Sequence, residues 1–236
     1  MLPQLTKFSG MALDFLFPQK CLGCGEEGEI LCRSCRKLLP RIVHPVCPQC
    51  GRPQASGLIC PVCVTLPAVI DGVRSPLKFE GVVREAIHQF KYKNLRTLAK
   101  PLAEILQEYL TRYPLPVQIL VPVPLHAKRL KERGYNQSEL LAHEIGKLIP
   151  IPVIADCLVR TKYLLPQART ASVEERRQNV KGAFSLQDSR LSGKQVLLID
   201  DVATSGSTLE SCASVIKYSG AASVWGLVLA RDIIKV

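Results

Sequence analysis

The residues best equipped for chemistry lie at 196–208. There Val196-Leu-Leu-Ile-Asp200-Asp201-Val-Ala203-Thr204-Ser205-Gly206-Ser207-Thr208 runs from aliphatic side chains through two acids into a hydroxyl-rich turn. A buried strand holds its last residues rigidly at the carboxyl edge of a sheet, where open α/β sheets bind ligands. Adjacent carboxylates accept hydrogen bonds from vicinal hydroxyls such as the 2′ and 3′ hydroxyls of a ribose. Thr204 to Thr208 then offer backbone N–H groups and hydroxyls at the start of a helix, where unsatisfied donors and the dipole favour a phosphate dianion. Gly206 lets the backbone approach that phosphate. The stretch fits a ribose 5-phosphate, with the sugar on Asp200 and Asp201 and the phosphate on Ala203, Thr204, Ser205, Gly206, Ser207 and Thr208. An Asp-Asp pair after a strand also suits a solvated loop or a Mg2+ site, and the residues alone leave those readings open.

A second chemistry is written in cysteine. Eight of the ten cysteines form four Cys-x-x-Cys pairs: Cys21/Cys24, Cys32/Cys35, Cys47/Cys50 and Cys60/Cys63. Each such turn converges two thiolates on one ion, and two turns complete the tetrahedral sulfur shell that zinc prefers. A closed shell has no open coordination position, so two structural zinc ions are expected, holding together a segment too short for its own core. Disulfides or a redox pair would explain one pair better than four, and the spacing lacks the clustered pattern of iron–sulfur proteins. Sequential quartets are the simpler arrangement; a cross-braced one also satisfies the spacing. Cys157 and Cys212 read as small buried apolar residues. This use of cysteine points to a reducing, cytoplasmic setting.

These groups need elements to carry them. Apolar spacing predicts helices over 82–90, 98–110, 138–148 and 208–218, with Gly220 ending the last, and strands over 117–123, 153–159, 196–199 and 222–230. Strands alternating with helices imply a largely parallel sheet covered on both faces. The cysteine pairs end where this periodicity begins, which puts a boundary near 66/67, with 1–66 the cysteine module and 67–236 the α/β domain. Hydrophobic residues at 47% and charged residues at 22% fit a globular chain, and no apolar run reaches the roughly 18 residues of a membrane span. Asp14 and Pro18 interrupt the apolar stretch 11–17, which reads as an amphipathic segment rather than an export signal.

The pattern of four aliphatic residues, two acids, two variable positions and Thr-Ser-Gly-x-Thr resembles the type I phosphoribosyltransferase signature. Over nearly the whole chain the resemblance is to the ComF family, the competence-associated proteins that include the GntX type and join a zinc ribbon to a phosphoribosyltransferase domain. Its marks here are the paired cysteines, Val121-Pro-Val123-Pro124, Arg129, Arg133-Gly-Tyr-Asn136-Gln137, Arg160-Thr-Lys162, Arg176-Arg-Gln-Asn179, Gly182-Ala-Phe184 and the Asp-Asp turn. Where Gly-Leu is expected after the glutamine, this chain has Gln167-Ala-Arg169. The resemblance implies glycosyl transfer, in which a nucleophile displaces Mg2+-bound pyrophosphate from C1 of phosphoribosyl diphosphate. Asp200 and Asp201 would then be catalytic in holding the sugar. Val123, Arg129, Arg133, Arg160 and Lys162 would face the diphosphate, with 160–179 closing over it as a lid. No residue declares the acceptor.

Formal net charge is +11, which favours phosphates or nucleic acid without choosing between them. Between Arg84 and Arg177, 16 Lys and Arg stand against 9 Asp and Glu, an excess of +7. That excess, and the tie of the family to competence, suggest single-stranded DNA as a partner of a non-catalytic module. Aromatics at 6% without aromatic–basic alternation argue against a stacking platform.

Overall fold

The computed structural model describes residues 19–66, 68–162 and 182–233. Within them packing forms two compact units, divided between Leu39 and Pro40. In the first, the turn at Cys21 closes through Gly25 N–H to Cys21 O and Cys21 N–H to Glu26 O, both 2.8 Å. Helix α1 (Arg33–Lys37) starts at Cys32, whose sulfur accepts from the Cys35 N–H. Ile30, Leu31 and Leu39 are buried in this unit, an apolar core too small to hold such a segment unaided.

The second unit opens with a similar hairpin. Val46 bridges Pro53, Gly51 N–H donates to Cys47 O at 2.9 Å, and α2 (Pro61–Thr65) begins with a proline at its first position, where the missing N–H has no intrahelical partner to lose. The hairpin lies directly on β1 (Gly72–Arg74). Val73 N–H donates to Gln49 O at 2.8 Å, and a Cβ on Gly51 would come 2.3 Å from Val73 O, at a residue whose φ is already +72°. Only glycine tolerates both conditions.

The α/β body continues through β2 (Leu77–Lys78), α3 (Gly81–Tyr92), α4 (Ala99–Arg112), β3 (Ile119–Pro122), α5 (Ala127–Arg133) and α6 (Gln137–Leu148). It ends with β4 (Leu158–Arg160), β5 (Phe184–Leu186), β6 (Gln195–Ala203), α7 (Ser207–Tyr218) and β7 (Ser223–Arg231). The main sheet has the order β1-β7-β6-β3, every pair parallel, with β2 also on β7. Alternate residues of β6 face opposite ways. Val196 and Leu198 join Leu209, Cys212, Ala213 and Ile216 of α7 in one core, while α4 and α6 pack on each other and cover the strands from the other side. The parallel sheet with helices on both faces is as the periodicity implies.

The predicted helices all form, within two residues of the expected ends. One strand does not. Val153 makes a single parallel bridge to Leu120, after which the chain turns away and β4 pairs antiparallel with β5. The turn buries Cys157, Leu158 and Phe184 in the core under α7, so these apolar residues serve packing rather than an extension of the sheet. The stretch 11–17 and positions 163–181, which hold most of the expected lid and the Arg176–Asn179 motif, lie outside the described residues.

Candidate functional site

Asp200 and Asp201 emerge at the carboxyl edge of β6, where sheet geometry sends their side chains to different neighbours. Asp201 is 5% exposed, and its Oδ1 lies 2.8 Å from Nζ of Lys91 in the last turn of α3. Asp200 is half-buried; its Oδ1 accepts from Ser138 Oγ at 2.8 Å and from the Asp201 N–H at 2.9 Å. Ser138 is set in place by Asn136, the residue capping α6, which accepts from the Ser138 N–H and donates to Val123 O at 3.0 Å. Burial pushes the Asp200 carboxyl up to about 6; the Asp201 charge adds to the rise, and Lys91 with the Ser138 and Asp201 hydrogen bonds opposes it. A carboxyl raised in this way is common in sites that bind or transform ligands.

The hydroxyl-rich turn has the geometry expected of it. Gly206 is left-handed at φ +83° and begins α7, and no side chain caps the helix. Ser205 and Ser207 hydroxyls bond each other at 2.7 Å, and Ser205 Oγ also accepts from the Ser207 N–H at 3.4 Å; the dipole and the backbone donors of the next residues remain at the amino end of the helix. An added Cβ at Gly206 would meet nothing within 4 Å, so the glycine is there for its backbone angle.

Among the basic candidates, Arg160 feels the charge of Asp200. It is half-buried, its guanidinium lies 5.4 Å over the Phe184 ring, and its Nε is buried with no hydrogen-bond partner. Burial lowers its proton affinity, Arg129 lowers it further, and Cys212 and Asp200 oppose. The structure thus brings Arg129 and Asp200 within reach of the Arg160 charge. Arg133 is held differently, by Gln137 Oε1 at 2.9 Å and by Tyr92, whose hydroxyl is 3.4 Å away and whose ring it covers at 5.0 Å. Lys162 Nζ lies 3.4 Å from where a side chain on Gly182 would begin. Val123 needs a correction of role: its N–H donates to Ile199 O at 2.9 Å, so this amide belongs to the sheet and is not presented to an anion. Lys91 and Ser138 were not singled out in the sequence. Each sits on an amphipathic helix, and a polar residue there announces a site only when the packing shows that it turns inward.

The eight cysteines form two clusters, Cys21/Cys24/Cys32/Cys35 and Cys47/Cys50/Cys60/Cys63, with ligand atoms in each within 4.8 Å of one another. The pairing is sequential rather than cross-braced. The donors fit zinc. Gly23 and Cys32 N–H groups point at Cys21 Sγ, each at 3.4 Å, and Cys60 N–H points at Cys47 Sγ at 3.4 Å. Burial would raise the Cys21 and Cys47 thiols, yet these and neighbouring backbone donors bring each down to about 6. Cys157 and Cys212 are fully buried elsewhere, as expected of structural thiols.

Residues 12–64 match the double zinc ribbon domain family. Over 89% of its length this chain is 31% identical to competence protein F of Haemophilus influenzae, covering 97% of that protein. It is 30% identical to the DNA utilization protein YhgH of Escherichia coli K12, over 86% of this chain and 91% of that one. Among solved structures, a purine phosphoribosyltransferase from Pyrococcus horikoshii aligns with 56% of this chain and 72% of its own at 20% identity, with a TM-score of 0.34. No helix among the described residues is long and apolar enough to cross a membrane.

Proposed function

Because this chain belongs to the competence protein F (ComF) family, we propose that its 200–208 edge binds phosphoribosyl diphosphate and that the protein is a phosphoribosyltransferase. The observation that carries this reading is the juxtaposition of Asp200 and Asp201 at a parallel-sheet edge with an uncapped helix start behind a left-handed Gly206. The acids accept the ribose 2′ and 3′ hydroxyls, and residues 203–208 take the 5-phosphate. Lys91 pairs with Asp201 and aims it and must share it with the sugar when ligand binds. Arg160, with an unpartnered buried Nε, and Arg129 face the diphosphate, with Arg133 and Lys162 in support.

In the reaction, the acceptor's lone pair forms a bond to C1 while the C1–O bond breaks, and its electron pair leaves on pyrophosphate. The protein contributes positioning and charge stabilisation. Mg2+ supplies neutralisation of the diphosphate; it prefers oxygen ligands and arrives with the substrate rather than on a thiol cluster. In this reading zinc ribbons at 1–66 precede a transferase-like domain at 67–236, onto which the second ribbon packs, and the protein works in the cytoplasm.

The test is thermal stability. Phosphoribosyl diphosphate with Mg2+ at about 100 times its dissociation constant stabilises by about 2.7 kcal/mol, a rise in Tm of roughly 5–10 °C at this size. Asp200→Asn combined with Asp201→Asn abolishes the rise. A parent protein that does not respond refutes the proposal.

A second reading has its own support. One relative is named a DNA utilization protein, and α5 puts Lys128, Arg129, Lys131 and Arg133 on one short helix, Arg133 stacked on the 61%-exposed Tyr92. An aromatic ring beside a basic helix suits single-stranded DNA. In a salt titration, binding should weaken with a log–log slope of about −2 or steeper for three phosphate contacts. A flat titration removes this reading and leaves the first intact.

A further inference from the structure

We infer that Arg231 and Arg52 are the counter-charges of a zinc ion held by Cys47, Cys50, Cys60 and Cys63, and that this outer sphere ties occupancy of the second tetrad to the edge carrying residues 204–208. Arg231 is 1% exposed, among the largest fully buried side chains. Its Nε and Nη1 have no hydrogen-bond partner, nor has the buried Nε of Arg52. A buried guanidinium without a nearby anion is costly enough to be rare in proteins.

Among the described residues, the groups that oppose its burial are sulfur. Burial lowers the proton affinity of Arg231, the Cys50, Cys63 and Cys47 thiols act against burial, and Arg52 acts with it. A zinc ion with four thiolates carries a charge of −2, and two guanidiniums balance it. Arg74 completes the surround: its Nη1 donates to Pro48 O at 2.7 Å, inside the Cys47–Cys50 turn, and its side chain lies 4.9 Å over the Trp225 ring. Glu210, the carboxylate near this group, is engaged with the Val69 and Ile70 N–H groups at 2.6 and 3.3 Å.

Arg231 also reaches the other site through the backbone. It is the last residue of β7, in register with Ala203 of β6, and the next residue, Asp232, donates its N–H to Ala203 O at 3.0 Å. Ala203 leads straight into Thr204. A cavity of about 50 Å3 is lined by Cys50, Cys63, Arg52 and Arg231 together with Ser205 and Gly206, so tetrad, guanidiniums and phosphate turn share one wall. Metal loss would free the sulfurs that the ion holds in place beside Arg231, and the strand end holding the turn would give way. Outer-sphere groups of this kind typically change metal affinity 10- to 100-fold when removed.

The experiment follows zinc release from the full-length, zinc-loaded protein into excess chelator. Two phases are expected, and Cys21→Ser with Cys24→Ser deletes one, which identifies the phase of the second tetrad. Arg231→Gln should speed that phase about 10-fold or more and leave the other unchanged. Arg52→Gln, at the less buried position, should speed the same phase by less, and it carries the test if the Arg231 variant does not fold. Variants that leave the second phase unchanged, or that accelerate both phases alike, overturn the inference. The link to the ligand edge rests on the proposed function. In Arg231→Gln the thermal shift from phosphoribosyl diphosphate should shrink, whereas the variant lacking the first tetrad should keep it. A parent without any shift would sink the proposed function and leave the zinc-release result to stand alone.

Discussion

Asp200 and Asp201 are adjacent in sequence and unlike in setting. Asp201 is paired with Lys91, while Asp200 has hydroxyl and amide donors and, among the described residues, no ion pair. The folded-state carboxyl of Asp200, raised by burial to about 6 from an ordinary 3.8, holds its proton over a pH range in which the unfolded chain has lost it. By linkage the stability tied to this group is greatest below about pH 4 and declines as pH rises to about 6. Asp200→Asn should therefore raise Tm at pH 7.5 by at least about 2 °C and make little difference at pH 4. A variant less stable than the parent at pH 7.5 would contradict this. Lys91→Met should do the opposite: it strands a 5%-exposed carboxylate and should cost about 3 kcal/mol in denaturant unfolding. Adding Asp201→Asn should restore most of that loss, because the two changes share one interaction.

At the scale of elements, the turn between β6 and α7 depends on one backbone angle. Gly206 sits at φ +83° with open space where a Cβ would be, so Gly206→Ala should destabilise by about 1–2 kcal/mol through conformation alone. It should also weaken phosphoribosyl diphosphate binding by the folded protein, since the same angle aims the helix start; unchanged affinity would mean that the turn does not touch the ligand. This element was legible in the sequence because strand, acids, glycine and helix follow one another without a break, each dictated by local chemistry. The helices were legible for the same reason. Lys91 and Ser138 were not, since nothing in the spacing of α3 or α6 says that a polar residue at the end of the apolar stripe will meet β6 from the far side of the sequence. The 153–159 strand was misplaced because a short apolar run has the same composition whether it joins a sheet or fills the space under a helix; here Cys157 and Leu158 do the latter.

For the molecule as a whole, zinc is a folding ligand as much as a structural one, and thiol acidity shows how much depends on it. Hydrogen bonds from neighbouring backbone donors lower Cys21 and Cys47 to about 6, against burial. In the first tetrad, the other thiols push Cys35 up to about 12, and Cys24 is raised despite its Glu26 backbone bond. In the second, burial first and then neighbouring thiols raise Cys63, and burial raises Cys50. At neutral pH each metal-free tetrad thus keeps at least two protonated thiols, and zinc, which binds thiolates, must displace those protons. Loading the metal-free protein with zinc should release at least two protons per ion, measurable as the dependence of calorimetric heat on the ionisation enthalpy of the buffer. Zinc affinity should consequently weaken as pH falls, by about 100-fold per pH unit for two displaced protons. Release of fewer than one proton per ion would mean that the thiols are already ionised without metal, and that the backbone donors at Cys21 and Cys47 stabilise the clusters more strongly than thiol–thiol repulsion opposes them.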